Sequence, residues 1–129
     1  MPISFAWDQS ATGIIVDTYA GDWTIEDSRS IWVEEERALA SHEGQLDAIG
    51  IMYDLHLPLA GMRHFTEVSR SKLLSGDWLG LGVLIGLKPS DQPISDLFLK
   101  IYPALAHKLA LASSVDSARQ QILAHRVSV

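Results

Sequence analysis

The stretch Leu46–Phe65, LDAIGIMYDLHLPLAGMRHF, decides the fold. Ala48-Ile49-Gly50-Ile51-Met52-Tyr53 shows almost no alternation of apolar and polar residues, the mark of a strand covered on both faces, as in a parallel sheet. The apolar run ends at Asp54. A loop with Pro58 and Gly61 follows, and the spacing then predicts a helix from Met62 to about Leu74. Ligands and partners of parallel sheets sit at the carboxyl ends of strands, against the amino ends of the helices that follow. The expected working surface is therefore Asp54–His64.

Upstream of this stretch, Ile3–Trp7 and the β-branched run Gly13–Ala20 read as a β-hairpin, joined by the turn-rich Asp8–Thr12. Gly21-Asp22-Trp23 is expected to break the second strand. Thr24 with Asp27 looks like an N-cap and its capping-box partner. A helix is expected from Ile25 to about His42, with Ile25, Ser28, Trp32, Leu39 and Ala40 inward. Glu34, Glu35, Glu36 and Arg37 then fall on a solvated face, because three consecutive glutamates cannot share a ligand. Gly44 is a natural stop.

Downstream, Trp78–Leu87 (WLGLGVLIGL) is a second unbroken apolar strand. Gly80, Gly82 and Gly86 suit close packing on the sheet. They do not form a phosphate loop, because no lysine followed by serine or threonine comes after them. A helix is expected from Pro93, interrupted at Pro103. Leu109–Ser113 reads as a short strand, Ser114 as a cap, and Val115–His125 as a closing helix with Val115, Ala118 and Ile122 inward. The order is β-β-α-β-α-β-α-β-α. This is an α/β chain on the border of α+β, one domain with a mixed sheet of four to five strands and about four helices.

Bulk properties narrow the function. A chain of 129 residues with 47% hydrophobic and 20% charged residues can bury an ordinary core. A net charge of −6 argues against a nucleic-acid footprint and against attraction to an anionic membrane. Without cysteine there is no disulfide, thiolate metal site or cysteine nucleophile. No secretory leader and no membrane span is read from the sequence, so the expectation is a cytoplasmic protein.

Asp54, His56, Arg63 and His64 converge on the expected strand end and helix start. Free amides at Gly61, Met62 and Arg63 would suit a carboxylate or phosphate there. In the structural alternative, Asp54 satisfies loop amides and Arg63 pairs with Asp54 or Glu67. Leu55, Leu57 and Leu59 make this connection unusually apolar, as core or as the lining of a ligand or partner contact. No metal spacing, nucleophile elbow or catalytic carboxylate pair stands out, so no enzyme, metal or cofactor is expected. The tryptophans read as packing residues, with a subset near the hairpin as a possible partner surface.

Over nearly its whole length the chain resembles the STAS family of sulphate transporters and anti-sigma-factor antagonists. The likeness rests on Tyr19, Gly21, Trp23 and Thr24 (Y-x-G-x-W-T), on the strand ending at Asp54, and on LGVLIGL (Leu81–Leu87). The closing ASSVDSARQQI (Ala112–Ile122), with Ala118 near the helix start, adds to it. The resemblance implies a mixed sheet and a working site after the central strand. In the antagonist branch a serine or threonine there is phosphorylated. Between Gly50 and Phe65 this chain has neither, so the phosphorylation switch does not carry over, and the closer likeness is to stand-alone bacterial STAS-like proteins. The expected function is a non-catalytic regulatory or interaction domain that binds a protein partner or itself. Its contact surface would be Asp54, His56, Leu57, Gly61, Met62, Arg63 and His64. The alternative is a carrier of a small acidic or amphiphilic ligand on the same surface.

Overall fold

Ile3–Trp7 (β1) and Ile14–Asp22 (β2) pair antiparallel, from Ile3 opposite Tyr19 to Trp7 opposite Ile15, as the β-branched run predicts. Their connection is closed by Asp8, whose Oδ2 accepts the amides of Ser10 (3.2 Å) and Ala11 (2.8 Å). This computed structural model of the protein describes residues 3–22, 25–56, 77–88, 96 and 107–128. The proposed cap at Thr24 lies outside them.

Three further strands, Leu46–His56 (β3), Leu79–Ile85 (β4) and Leu109–Ala112 (β5), add in parallel to β2. The five form one mixed sheet in the order β1-β2-β3-β4-β5, with β3 in the middle. The chain is thus α/β. The expected breaker at Gly21 is corrected: β2 runs on through Gly21 and Asp22, opposite Leu55 and His56. Glycine accommodates this because Gly21 sits at φ +65°, where a side chain would be strained.

Two helices are found among the described residues, Ile25–Ala40 (α1) and Val115–Ser128 (α2), against an expectation of about four. The helices expected over Met62–Leu74 and from Pro93 fall outside the described residues, where Asp96 alone is described, as helical. Helix α2 is capped as expected: Ser114 Oγ accepts the amide of Ser117 at 3.1 Å. Its inward residues Ala118 and Ile122 are fully buried against Ile14, Ile49, Val83 and Ile85.

Helix α1 covers the other face. Alternation along β2 puts Ile14 and Val16 under α2 and Ile15, Asp17 and Tyr19 on the opposite side. There Ile31 of α1 packs with Ile3, Phe5 and Tyr19. Of the expected inward stripe, Leu39 is part-buried and Ala40 exposed, the side chains of Ile25, Ser28 and Trp32 lying outside the described ones; Ile31 and Glu35, not expected inward, are buried at 3% and 6% exposure. None of the described helices is long and apolar enough to cross a membrane.

The glycines of β4 serve strand contacts. Pairing steps from Leu46–Leu79 to Ala48–Gly82, so β4 carries one extra residue and bulges. The bulge frees the Leu81 amide, which donates to Asp47 Oδ1 at 2.8 Å. A Cβ on Gly80 would lie 2.5 Å from that oxygen, and one on Gly82 would lie 2.8 Å from Leu109 Cδ2. At Gly80 and Gly82 the close neighbours are thus side chains of adjoining strands, in place of the expected packing of a helix on the sheet.

Candidate functional site

Strand β3 extends past its neighbour β4. Their pairing stops at Ile51 opposite Ile85, and Gly86, at φ +82°, then turns the chain. On the other side β3 continues against β2, with Ala20, Gly21 and Asp22 opposite Asp54, Leu55 and His56. The strand therefore ends two residues later than the sequence suggests, and Leu55 and His56 belong to it, not to the loop. One extra residue on β3 between the Ile51 and Asp54 pairings increases the local twist just before this rim.

Of the expected site residues, Asp54 and His56 are placed by their backbone at the carboxyl end of the central strand. Leu57, Gly61, Met62, Arg63 and His64 lie outside the described residues. The anticipated convergence of Asp54, His56, Arg63 and His64 thus has two members positioned on the sheet rim.

A second polar feature went unread in the sequence. Asp17 lies on the face of β2 that α1 covers, and its carboxyl is close enough to that of Glu35 for the two to influence each other's ionisation. Asp17 Oδ1 is enclosed and has no hydrogen-bond partner. Burial against the sheet, reinforced by the nearby Asp17 charge, pushes the Glu35 carboxyl up to about 10. Burial likewise raises Asp17, partly offset by the neighbouring Glu35 carboxyl. It also raises the Tyr19 hydroxyl, with the two carboxyls adding to the effect. Two carboxyl groups in contact away from water require a proton between them, because both cannot be charged there. With Glu35 buried and Asp17 Oδ1 enclosed, the arrangement favours one proton kept on the pair over two charges.

Glu35 is the member that sequence reasoning assigned wrongly. Within Glu34-Glu35-Glu36 the composition signals a solvated face, and Glu34 is indeed exposed. The available signal was the spacing Ile31–Glu35, one helical turn, together with the polar Asp17 between Ile15 and Tyr19 on one strand face.

At the opposite end of the sheet the polar groups are conventionally paired. Asp47, buried where β3 begins, accepts from Arg126 Nε at 2.7 Å, and Arg126 Nη2 donates to the Gly13 carbonyl at 3.2 Å. Asp8 receives a two-pronged contact from Arg119, at 3.0 Å from Nε and 2.7 Å from Nη2. The hydrogen bonds from Arg119 hold the Asp8 carboxyl below its ordinary value, against the opposing effect of burial. These two arginines pin α2 to the β1–β2 turn and the start of β3. Nearby, Trp7 is 40% exposed and its ring lies 6.2 Å from that of His42.

A shallow groove between α1 and the start of β4 is lined by Val33, Leu39 and Trp78, with Glu36, Arg37 and Asp77 at its polar positions. Among the described residues, no group of three or more histidine or acidic side chains is gathered to hold a metal ion. No family model matches the chain, and no curated protein matches it.

Proposed function

We propose that this chain is a non-catalytic regulatory or interaction domain of STAS-like type, docking a protein partner or a second copy of itself on the rim where β3 ends. The observation that carries the reading is the projection of β3. Its last residues, through His56, lie at the carboxyl end of the central strand, paired with β2 and extending beyond the last pairing with β4. Carboxyl ends of parallel strands are where such folds place their contacts. The surrounding order supports the STAS likeness: an antiparallel hairpin, consecutive parallel strands, then a short strand, a serine cap and a helix with Ala118 buried near its start. Leu57, Gly61, Met62, Arg63 and His64 complete the contact surface in this reading, and a reaction is no part of it.

The test reverses charge on the placed part of the rim, with Asp54→Lys and His56→Glu in one protein. Sedimentation equilibrium and native mass spectrometry follow self-association. The expected result is a dimer whose dissociation constant rises at least tenfold, about 1.4 kcal/mol, with little change in melting temperature. An unchanged dimer moves the interface elsewhere. A monomer that retains an amphiphile through purification overturns the reading in favour of ligand carriage.

A further inference from the structure

We infer that Asp17 and Glu35 form a proton-operated latch that holds α1 on the sheet, closed while the pair keeps its shared proton and released when both carboxyls ionise. This inference is independent of what docks at the rim. Three observations converge on it. Glu35 is 6% exposed, on the turn after Ile31 in the stripe by which α1 meets the sheet. Its carboxyl lies near that of Asp17, and two carboxyl groups can bond to each other only if one of them carries a proton. Asp17 Oδ1 is enclosed without a partner, so among the described residues no group is bonded to it that could absorb a second charge.

Among the described residues the neighbouring elements offer little relief. Beneath α1, β1 presents Ile3 and Phe5 and β3 presents Gly50, none of which ionises. β2 adds Tyr19, an acid like the carboxyls. On α1, Asp27 stands one turn before Ile31, and it is engaged in an interaction of its own. Among the described residues no cation is paired with Asp17 or Glu35. When the proton leaves for solvent, two like charges face each other in a site that solvates neither. Moving α1 outward is the available relief. The buried cluster under α1, Ile3 with Ile31, is separate from the one under α2, so the first helix can open without dismantling the second.

The sign follows from linkage. A carboxyl whose folded value is raised keeps a proton that the opened state releases. Its contribution is therefore fully present below about pH 4.5 and is lost as pH rises towards about 10. One retained proton makes the opening constant rise by up to tenfold per pH unit across that window.

Native-state hydrogen exchange between pH 5 and 9, corrected for the intrinsic rate, tests this on the whole chain. The expected result is that α1 amides lose protection with rising pH by up to tenfold per unit, while α2 amides do not. Glu35→Gln keeps a hydrogen-bond donor that cannot ionise and should flatten the α1 profile. Should that variant fail to fold, Asp17→Asn serves, because its amide can donate to an ionised Glu35 and remove the need for the proton. The latch is overturned by flat α1 protection in the native protein. It is equally overturned by parallel loss in α1 and α2, or by a folded variant that keeps the native slope.

Discussion

Under α2 the sheet presents Ile14, Ile49, Val83 and Ile85, all fully buried, and the helix answers with Ala118 and Ile122. Under α1 the buried cluster among the described residues is Ile3 with Ile31, flanked by the part-buried Phe5 and Tyr19, and two carboxyl groups stand beside it. Charges at the edges differ as well. The α2 side has Asp8 and Asp47 each met by an arginine of the helix, whereas the α1 pair has no cation among the described residues. Apolar packing with paired charges makes a permanent attachment. A carboxyl pair in the same position makes an attachment that depends on solution conditions, since its stability follows proton activity.

The largest effect should come from breaking the permanent side. Ile49→Ala empties a fully buried position on the central strand and should cost about 3 kcal/mol of global stability, read from urea unfolding. If α1 and α2 are attached as differently as proposed, α2 amides should lose exchange protection in this variant, while α1 amides, which exchange through their own opening, should lose much less. Next, Arg126→Ala leaves the Asp47 carboxylate, which is 7% exposed, with the Leu81 amide as its remaining partner at that end. A destabilisation of about 2 kcal/mol is expected, limited because the arginine is itself a third exposed. A loss below about 0.5 kcal/mol would mean that the Arg126–Asp47 pair adds little to the attachment of α2.

The smallest effect sharpens the comparison through its sign. Arg119 holds the Asp8 carboxyl low, so its contribution is present above about pH 4 and is lost as pH falls through the depressed folded value. Asp8→Asn should therefore narrow the stability gap to the native protein as pH drops from 5 to 2. The α1 side has the opposite dependence, weakening as pH rises. Unfolding curves of Asp8→Asn and Glu35→Gln across pH 2–9 should change at opposite ends of the range. A common direction would remove the distinction between the two faces.

Strand positions were legible because each depends on local pattern. Unbroken apolar runs marked the middle of the sheet, Ala48–Tyr53 lying inside β3, and the cap-and-helix signal at Ser114 placed α2. The bounds drifted where pairing with a distant strand decided them: β2 continues through Gly21 because Leu55 is there to pair with it. The parts of the candidate site that were not legible depend on contacts far apart in the chain. Composition does not separate Glu35 from Glu34; the one local sign is its one-turn spacing from Ile31. Its burial is set by Asp17, which reaches it only once β2 and α1 have packed. The Asp47–Leu81 contact likewise exists because β4 bulges, a register feature with no composition of its own. The rim was anticipated from Asp54, and the structure locates it two residues further on, at His56.

The strand order has a consequence for how this protein is made. Every described strand lies beside the described strand that precedes it in the chain, so a growing polypeptide leaving the ribosome meets its template edge already in place. Assembly can proceed by accretion from the first hairpin, each arrival closing a loop of modest length and leaving one free border for the next. The four-residue β5 ends that progression, and so short a final border offers little for a neighbouring molecule to extend.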